Sequence, residues 1–166
     1  MTTKNTVELT VNAPKDKVMQ ALRTREYWEF NATHAMSEDG ELHEFTAGED
    51  GTSEAVLYEV MPMDIMPEAV RAMISQALKM KRVVKVIDDD HTSFTVDVKG
   101  TPVDFGADVT VSDNGDNTTK FVYDAFINVN IPFMGAAVEP KVLEGLPDSF
   151  DKENQLLAQW IADNMA

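Results

Sequence analysis

Residues 138–165, VEPKVLEGLPDSFDKENQLLAQWIADNM, decide how the rest of the chain is read. Val138, Val142, Leu143, Leu146, Phe150, Leu157, Trp160, Ile161 and Met165 recur at helical spacing, which makes an amphipathic helix of the final stretch. Pro140 and the Gly145-Leu146-Pro147 group remove backbone donors, so a bend or short break is expected near 145–147, with the main segment running from about 148 to 164. Almost everything upstream reads as strand. One terminal helix cannot cover a broad antiparallel sheet as a flat lid. The sheet must curl around the helix, and a curled sheet gripping a helix tends to leave an internal space.

Working back from that helix, the strands announce themselves by alternation. Val7, Leu9 and Val11 alternate with Glu8 and Thr10 in the first strand, over residues 5–12. Pro14 then opens a short helix carrying Val18, Met19 and Leu22 on one face, and a second short helix over 24–31 carries Tyr27, Trp28 and Phe30. Strands follow at 41–47 and 53–61 around the turn Gly48-Glu49-Asp50-Gly51, with Val56, Tyr58 and Val60 sharing what is read as the inward face. Residues 67–78, PEAVRAMISQAL, have helical periodicity behind Pro67. Strands at 80–88, 92–100, 102–112 and 118–130 complete the series. The reading is an α+β chain: a seven-stranded curved antiparallel sheet around a long C-terminal helix, with two short helices after the first strand. At 166 residues, with no repeat or linker, a single domain over 1–166 is expected, burying about two-thirds of its unfolded surface.

Composition narrows the partners. Lys and Arg number 14 against 29 Asp and Glu, a net charge of −15 spread along the chain. That excess repels phosphate backbones and anionic headgroups, so neither nucleic acid nor a stable membrane association is expected. The opening MTTKNTVELTV lacks an apolar core of signal-peptide length, and no window approaches the roughly 20 apolar residues of a membrane span. A cytoplasmic location is the expectation. The absence of cysteine excludes thiol nucleophiles, disulfides and thiolate metal sites.

Three stretches carry a resemblance: VELTVNAPKDKVMQAL (7–22), GTPVDFGADVTV (100–111) and VNIPFMGAAVEPKV (129–142). Together with the element order they make the chain similar to the helix-grip superfamily of lipid-transfer START domains, plant pollen allergens, aromatic polyketide cyclases and co-chaperone activators. More specifically, the chain resembles the family called domain of unknown function 2505. The resemblance implies a deep pocket between the concave sheet face and the closing helix, which relatives use for sterols, lipids, hormones or polyketides.

Read from the residues, inward Tyr58, Phe94, Phe105 and Tyr123 either line such a pocket or pack into a solid core. Ala136 and Ala137 are too small to fill the space beside them. Met61, Met63, Met66, Met73 and Met80 form either a compliant gate or a gap-filling layer. Trp28 is either a rim residue or a core anchor. The candidate ligand-binding set is Trp28, Tyr58, Met73, Phe94, Phe105, Tyr123, Met134, Val138 and Leu157.

Candidate catalytic groups do not assemble in the sequence. His34, His43 and His91 lack metal-ligand spacing, and Asp88-Asp89-Asp90-His91 reads as a solvated hairpin turn. Asp104 and Asp108 stand on one strand face about 13 Å apart, too far to share a proton. No metal, cofactor or catalytic residue is therefore assigned. The expected function is binding or transport of a small hydrophobic ligand, lipid- or polyketide-like. The alternative is a cyclase-, aromatase- or hydrolase-like enzyme using the same cavity, with Tyr58 or Tyr123 available for proton transfer. A third reading is an acidic interaction module.

Overall fold

The alternation read in the sequence becomes one antiparallel sheet in the computed structural model, which describes residues 2–34, 40–60, 79–99, 103–130 and 135–165. β1 (Thr2–Val11) leads into α1 (Lys15–Leu22) and α2 (Arg25–His34). The strands β2 (Glu41–Ala47), β3 (Ser53–Val60), β4 (Lys79–Val86), β5 (His91–Val98), β6 (Val103–Asp113) and β7 (Thr119–Val129) follow, and α3 (Gly135–Asn164) closes the chain. The seven strands lie in the order β1-β7-β6-β5-β4-β3-β2. Each sequential pair from β2 to β7 is therefore a neighbour, and only β1 makes a long-range return, with Val7 opposite Tyr123.

The register puts one residue set on the face turned toward α3. Leu57, Arg82, Val96, Phe105 and Ile127 form one row across the sheet, and Ala55, Val84, Phe94 and Ala107 the next. The apolar stripe of α3, with Val142, Leu143, Leu146, Phe150, Leu157 and Ile161 buried, lies over this face. α3 makes its main sheet contacts with β1 and β7 and also packs on α1 and α2. A buried Glu139 pins its N-terminal turns: Thr3 Oγ1 donates to Glu139 Oε1 at 2.7 Å, and the Val129 amide donates to Oε2 at 2.8 Å. Among the described residues no helix is long and apolar enough to cross a membrane.

Three sequence expectations change. α3 runs as one continuous helix through Pro140 and Pro147, without the break that the sequence allowed. The two prolines are seven residues apart, close to two turns, so they share one helix side. Pro140 is exposed and Pro147 half-buried, the side on which carbonyls freed by the missing donors reach water. Packing of Val142, Leu143 and Leu146 then carries the helix past both.

The second change concerns Tyr58, expected to point inward. β3 is apolar on both faces, and Ala55, Leu57 and Glu59 are the residues turned in; Tyr58 lies on the other face, its ring 4.8 Å from that of His43. The face is set by Glu59, which pairs with Arg82 of β4 beneath α3. Third, α2 extends to His34, beyond the expected end at residue 31. The expected helix at 67–78 lies outside the described residues.

Gly106 explains a glycine in the middle of β6. A Cβ there would come 2.3 Å from the Phe94 carbonyl oxygen and 3.1 Å from the Phe126 ring, because β5 and the cross-strand aromatic close in on the bare backbone. Gly106→Ala is expected to lower stability by about 1–3 kcal/mol through overpacking that the sheet backbone cannot relieve. Urea denaturation checks this: the midpoint falls and the slope stays unchanged.

Candidate functional site

Where α3 leans toward β1 and β7, a gap opens against β4, β5 and β6. The sheet contributes Val84, Phe94, Val109, Phe121 and Tyr123, α3 contributes Phe150 and Leu157, and α1 and α2 close one end with Leu22, Tyr27 and Trp28. The void is about 60 Å³. Its walls are aromatic. Tyr123 stacks on Phe150 with ring centres 4.5 Å apart, Phe94 meets Phe150 edge-on at 5.5 Å, and Phe121 meets Tyr123 at 5.9 Å. Tyr27 stands edge-on to both Trp28 and Trp160, at 4.9 Å and 5.6 Å.

One end of the void is polar. Arg82, on the inward parity of β4, reaches Glu59 of β3, Glu153 of α3 and Asn31 of α2. Its Nε lies 2.7 Å from Glu59 Oε1, a charge contact whose N–H direction misses the oxygen, so both atoms keep unused hydrogen-bonding capacity. Nη2 donates to Glu59 Oε2 at 3.2 Å and to Asn31 Oδ1, and Nη1 donates to Glu153 Oε1. Asn31 Nδ2 in turn donates to Glu153 Oε1 at 3.1 Å and to Tyr27 Oη at 3.2 Å. The guanidinium also sits 6.0 Å from the centre of the Trp28 ring, a cation–π arrangement. Trp28 is itself fixed, its Nε1 donating to the Leu22 carbonyl at 2.8 Å. A second polar contact stands farther along: the Tyr123 hydroxyl donates to Asn154 Oδ1 at 3.1 Å, while Asn154 Nδ2 is buried without a partner.

The electrostatics follow from counting charges. One guanidinium faces two carboxylates, so it is held charged, its pKa raised by Glu153 and Glu59 against the cost of burial. The deficit falls on the deeper carboxylate. Burial pushes Glu59 above the ordinary value, and repulsion from Glu153 adds to this, against the attraction of Arg82. Burial likewise pushes the hydroxyls of Tyr27 and Tyr123 well above their usual range, so both stay protonated.

Of the candidate residues read from sequence, Trp28, Phe94, Tyr123 and Leu157 meet around this void. Phe105 is inward and buried but packs in the core beside Val96 and Ile127, away from the void walls. Tyr58 is on the opposite face. Met73 and Met134, and the side chain of Val138, lie outside what is described. So do the side chains of Ala136 and Ala137 and the residues Met61, Met63 and Met66, whereas Met80 is buried in the core.

Sequence reasoning misses the polar set of Arg82, Glu59, Asn31, Glu153 and Asn154, although each sits on a stripe that is otherwise apolar. That parity is the available signal. The three histidines are dispersed: His34 stacks on Phe30 at 4.1 Å, His43 is tilted against Tyr58, and His91 Nδ1 lies 2.9 Å from Asp88. The acidic turn has a structural partner, because Lys15 and Arg23 of the first helical segment pair with Asp90 and Asp89.

Comparison with known proteins supports the architecture. The chain superposes on Ara h 8.0201 with a TM-score of 0.65 at 11% identity, covering 99% of this chain and 100% of that one. The Zhui aromatase/cyclase from Streptomyces sp. R1128 gives 0.62 at 12% identity, covering 100% and 99%. Norcoclaurine synthase from Thalictrum flavum, in complex with dopamine and hydroxybenzaldehyde, gives 0.57 at 14%, covering 100% and 90%. At these identities the likeness is one of fold, the helix-grip fold. No curated protein matches the sequence.

The buried carboxylate has a pH signature. The folded chain holds a proton on Glu59 to higher pH than the unfolded chain does. Its contribution to stability is therefore complete below the ordinary value of 4.5 and falls as pH rises through the folded value. Relative to Glu59→Gln, the wild type should lose stability as pH rises above about 4.5. Urea midpoints of both proteins at several pH values measure this, and a difference that stays flat or grows in the wild type's favour would refute it.

The model of the family described as "Protein of unknown function (DUF2505)" matches residues 6–161, and the chain belongs to that family.

Proposed function

We propose that this protein binds one small, largely apolar molecule between the concave sheet face and α3, as a carrier or sequestering protein. The observation that carries the reading is the unfilled gap among Phe94, Phe121, Tyr123, Phe150 and Leu157. Ordinary cores close-pack such side chains, and aromatic walls around a void are the usual composition of a ligand site. The void among the described residues is well below the roughly 300–1,000 Å³ of a drug-sized site, so these walls grip one end of a ligand. Relatives of the same fold support an aromatic or polyketide-like occupant: one is an aromatase/cyclase, and another holds dopamine and hydroxybenzaldehyde. The charge of −15 and the lack of cysteine fit a cytoplasmic carrier with no anionic macromolecule as partner.

A second reading, a cyclase-like enzyme, is favoured by one observation: the Tyr123 hydroxyl stands at the void wall and is held protonated. It would serve as a hydrogen-bond donor to a developing oxyanion; a base role would require the ionised form that burial disfavours. In that case Tyr123→Phe abolishes turnover of a bound polyketide-like substrate while leaving its affinity nearly unchanged.

Leu157→Trp tests the binding reading. The larger side chain fills the void from α3, at an overpacking cost of about 1–3 kcal/mol. Binding of the neutral dye Nile red, followed by its fluorescence, should weaken at least about tenfold (roughly 1.4 kcal/mol) while the far-ultraviolet circular dichroism is retained. Equal dye affinity in the two proteins would place the binding elsewhere.

A further inference from the structure

If the void binds a small apolar molecule, as proposed for this protein, the polar atoms that face it set the chemistry of the occupant. Asn154 interrupts the apolar stripe of α3 between Phe150 and Leu157, and it is 5% exposed. Its Oδ1 is occupied by the Tyr123 hydroxyl, its Nδ2 is buried with no partner, and the residue lines the void. Folded proteins seldom leave a buried amide donor orphaned, and an NH₂ group can be satisfied only by an acceptor.

The charges near the void exclude one class of acceptor. Among the described residues that wall it, Arg82 is the sole cation; its Nη donors go to Glu59, Glu153 and Asn31, and its Nε, which makes no hydrogen bond, lies 2.7 Å from Glu59 Oε1, so its charge is already faced by both carboxylates. A carboxylate brought beside Asn154 would face two carboxylates against one guanidinium and find no free counter-charge. An ammonium ligand fails differently, because it offers no acceptor to Asn154. A neutral carbonyl meets both conditions: it accepts from Nδ2 and brings no charge. The void, about 60 Å³, has room for a group of that size with its immediate substituent.

We propose that Asn154 is the polar anchor of the site, and that the site takes a neutral apolar molecule bearing a carbonyl acceptor and rejects the corresponding carboxylate. The carbonyl end of such a molecule enters the void beside Asn154, and its ring system extends outward from it.

Three matched probes test this by competition with Nile red: acetonaphthone, ethylnaphthalene and naphthoate. They share a two-ring body and differ in the group presented to Asn154. The wild type should bind both neutral probes and show no measurable affinity for naphthoate. Asn154→Leu should weaken acetonaphthone about tenfold and leave ethylnaphthalene unchanged or tighter. The double variant Tyr123→Phe/Asn154→Leu removes both hydrogen-bonding partners together, which keeps the fold near its original stability, and it should show the same selective loss. If Asn154→Leu and the double variant weaken neither probe, or weaken both equally, the anchor is wrong while the binding reading stands. Naphthoate binding as tightly as the ketone would also overturn the anchor. Failure of every probe and of the dye on the wild type would sink the binding reading and the anchor together.

Discussion

A single helix has to bury the concave face of seven strands, and the rest of the structure follows from how it fails to do so evenly. A helix is about 10–12 Å across with its side chains, whereas seven strands at about 4.8 Å spacing span some three times that width. α3 resolves the mismatch by committing to one side. Glu139 ties its start to β1 and β7, and its apolar stripe packs mainly on those strands. The opposite side of the concave face is left to α2 and to bridging side chains such as Phe150, which crosses to Phe94. The gap over β4 and β5 is the geometric remainder of that arrangement.

The buried ion cluster stands at the margin of that gap, joining β3, β4, α2 and α3 through Arg82. Its contribution to net stability is small, because desolvating three charged groups offsets most of their attraction. Its effect on geometry is larger. Arg82 cannot withdraw without stranding Glu59, which is wholly buried, and Glu153 holds α3 to the cluster from its partly exposed position. Hydrophobic residues in these places would let the sheet and α3 close against each other. The paired charges hold them apart and set Trp28 against the guanidinium.

The sequence is legible wherever one face is apolar and the other polar. β7, with Phe121, Tyr123, Ala125, Ile127 and Val129 buried and their neighbours less so, reads directly as an inward row. β1 and the stripe of α3 do the same, and with them the fold. β3 does not, because Val56, Tyr58 and Val60 compete with Ala55 and Leu57 for the inward side, and the larger set is the outer one. What settles the matter is Glu59, whose partner is on another strand and so invisible to local alternation. The prolines of α3 mislead for a related reason: propensity sees the lost backbone bonds, whereas the tertiary packing that compensates for them is made with residues far away in the chain. Half of the site is therefore readable as aromatic wall, and its polar half is hidden behind pairings that only the register reveals.

Those hidden polar residues share a property. Arg82 occupies the inward parity of β4 between Met80 and Val84, Glu59 follows Ala55 and Leu57 on β3, Asn31 lies on the buried face of α2 with Tyr27, and Asn154 divides Phe150 from Leu157 on α3. Each breaks the pattern of its own element, and each would be destabilising if it stood alone. The four elements carrying them are separate in sequence, yet Arg82 and Asn154 line one void, Glu59 and Asn31 are tied to it through Arg82, and Glu153 links α3 to Arg82. Local rules broken at one place in the fold, and kept elsewhere along the same strands and helices, are what a binding site adds to a scaffold. Arg82 Nε and Glu59 Oε1 at least face each other, whereas the Asn154 amide has neither a hydrogen bond nor a charge partner, and it gives the apolar gap a direction.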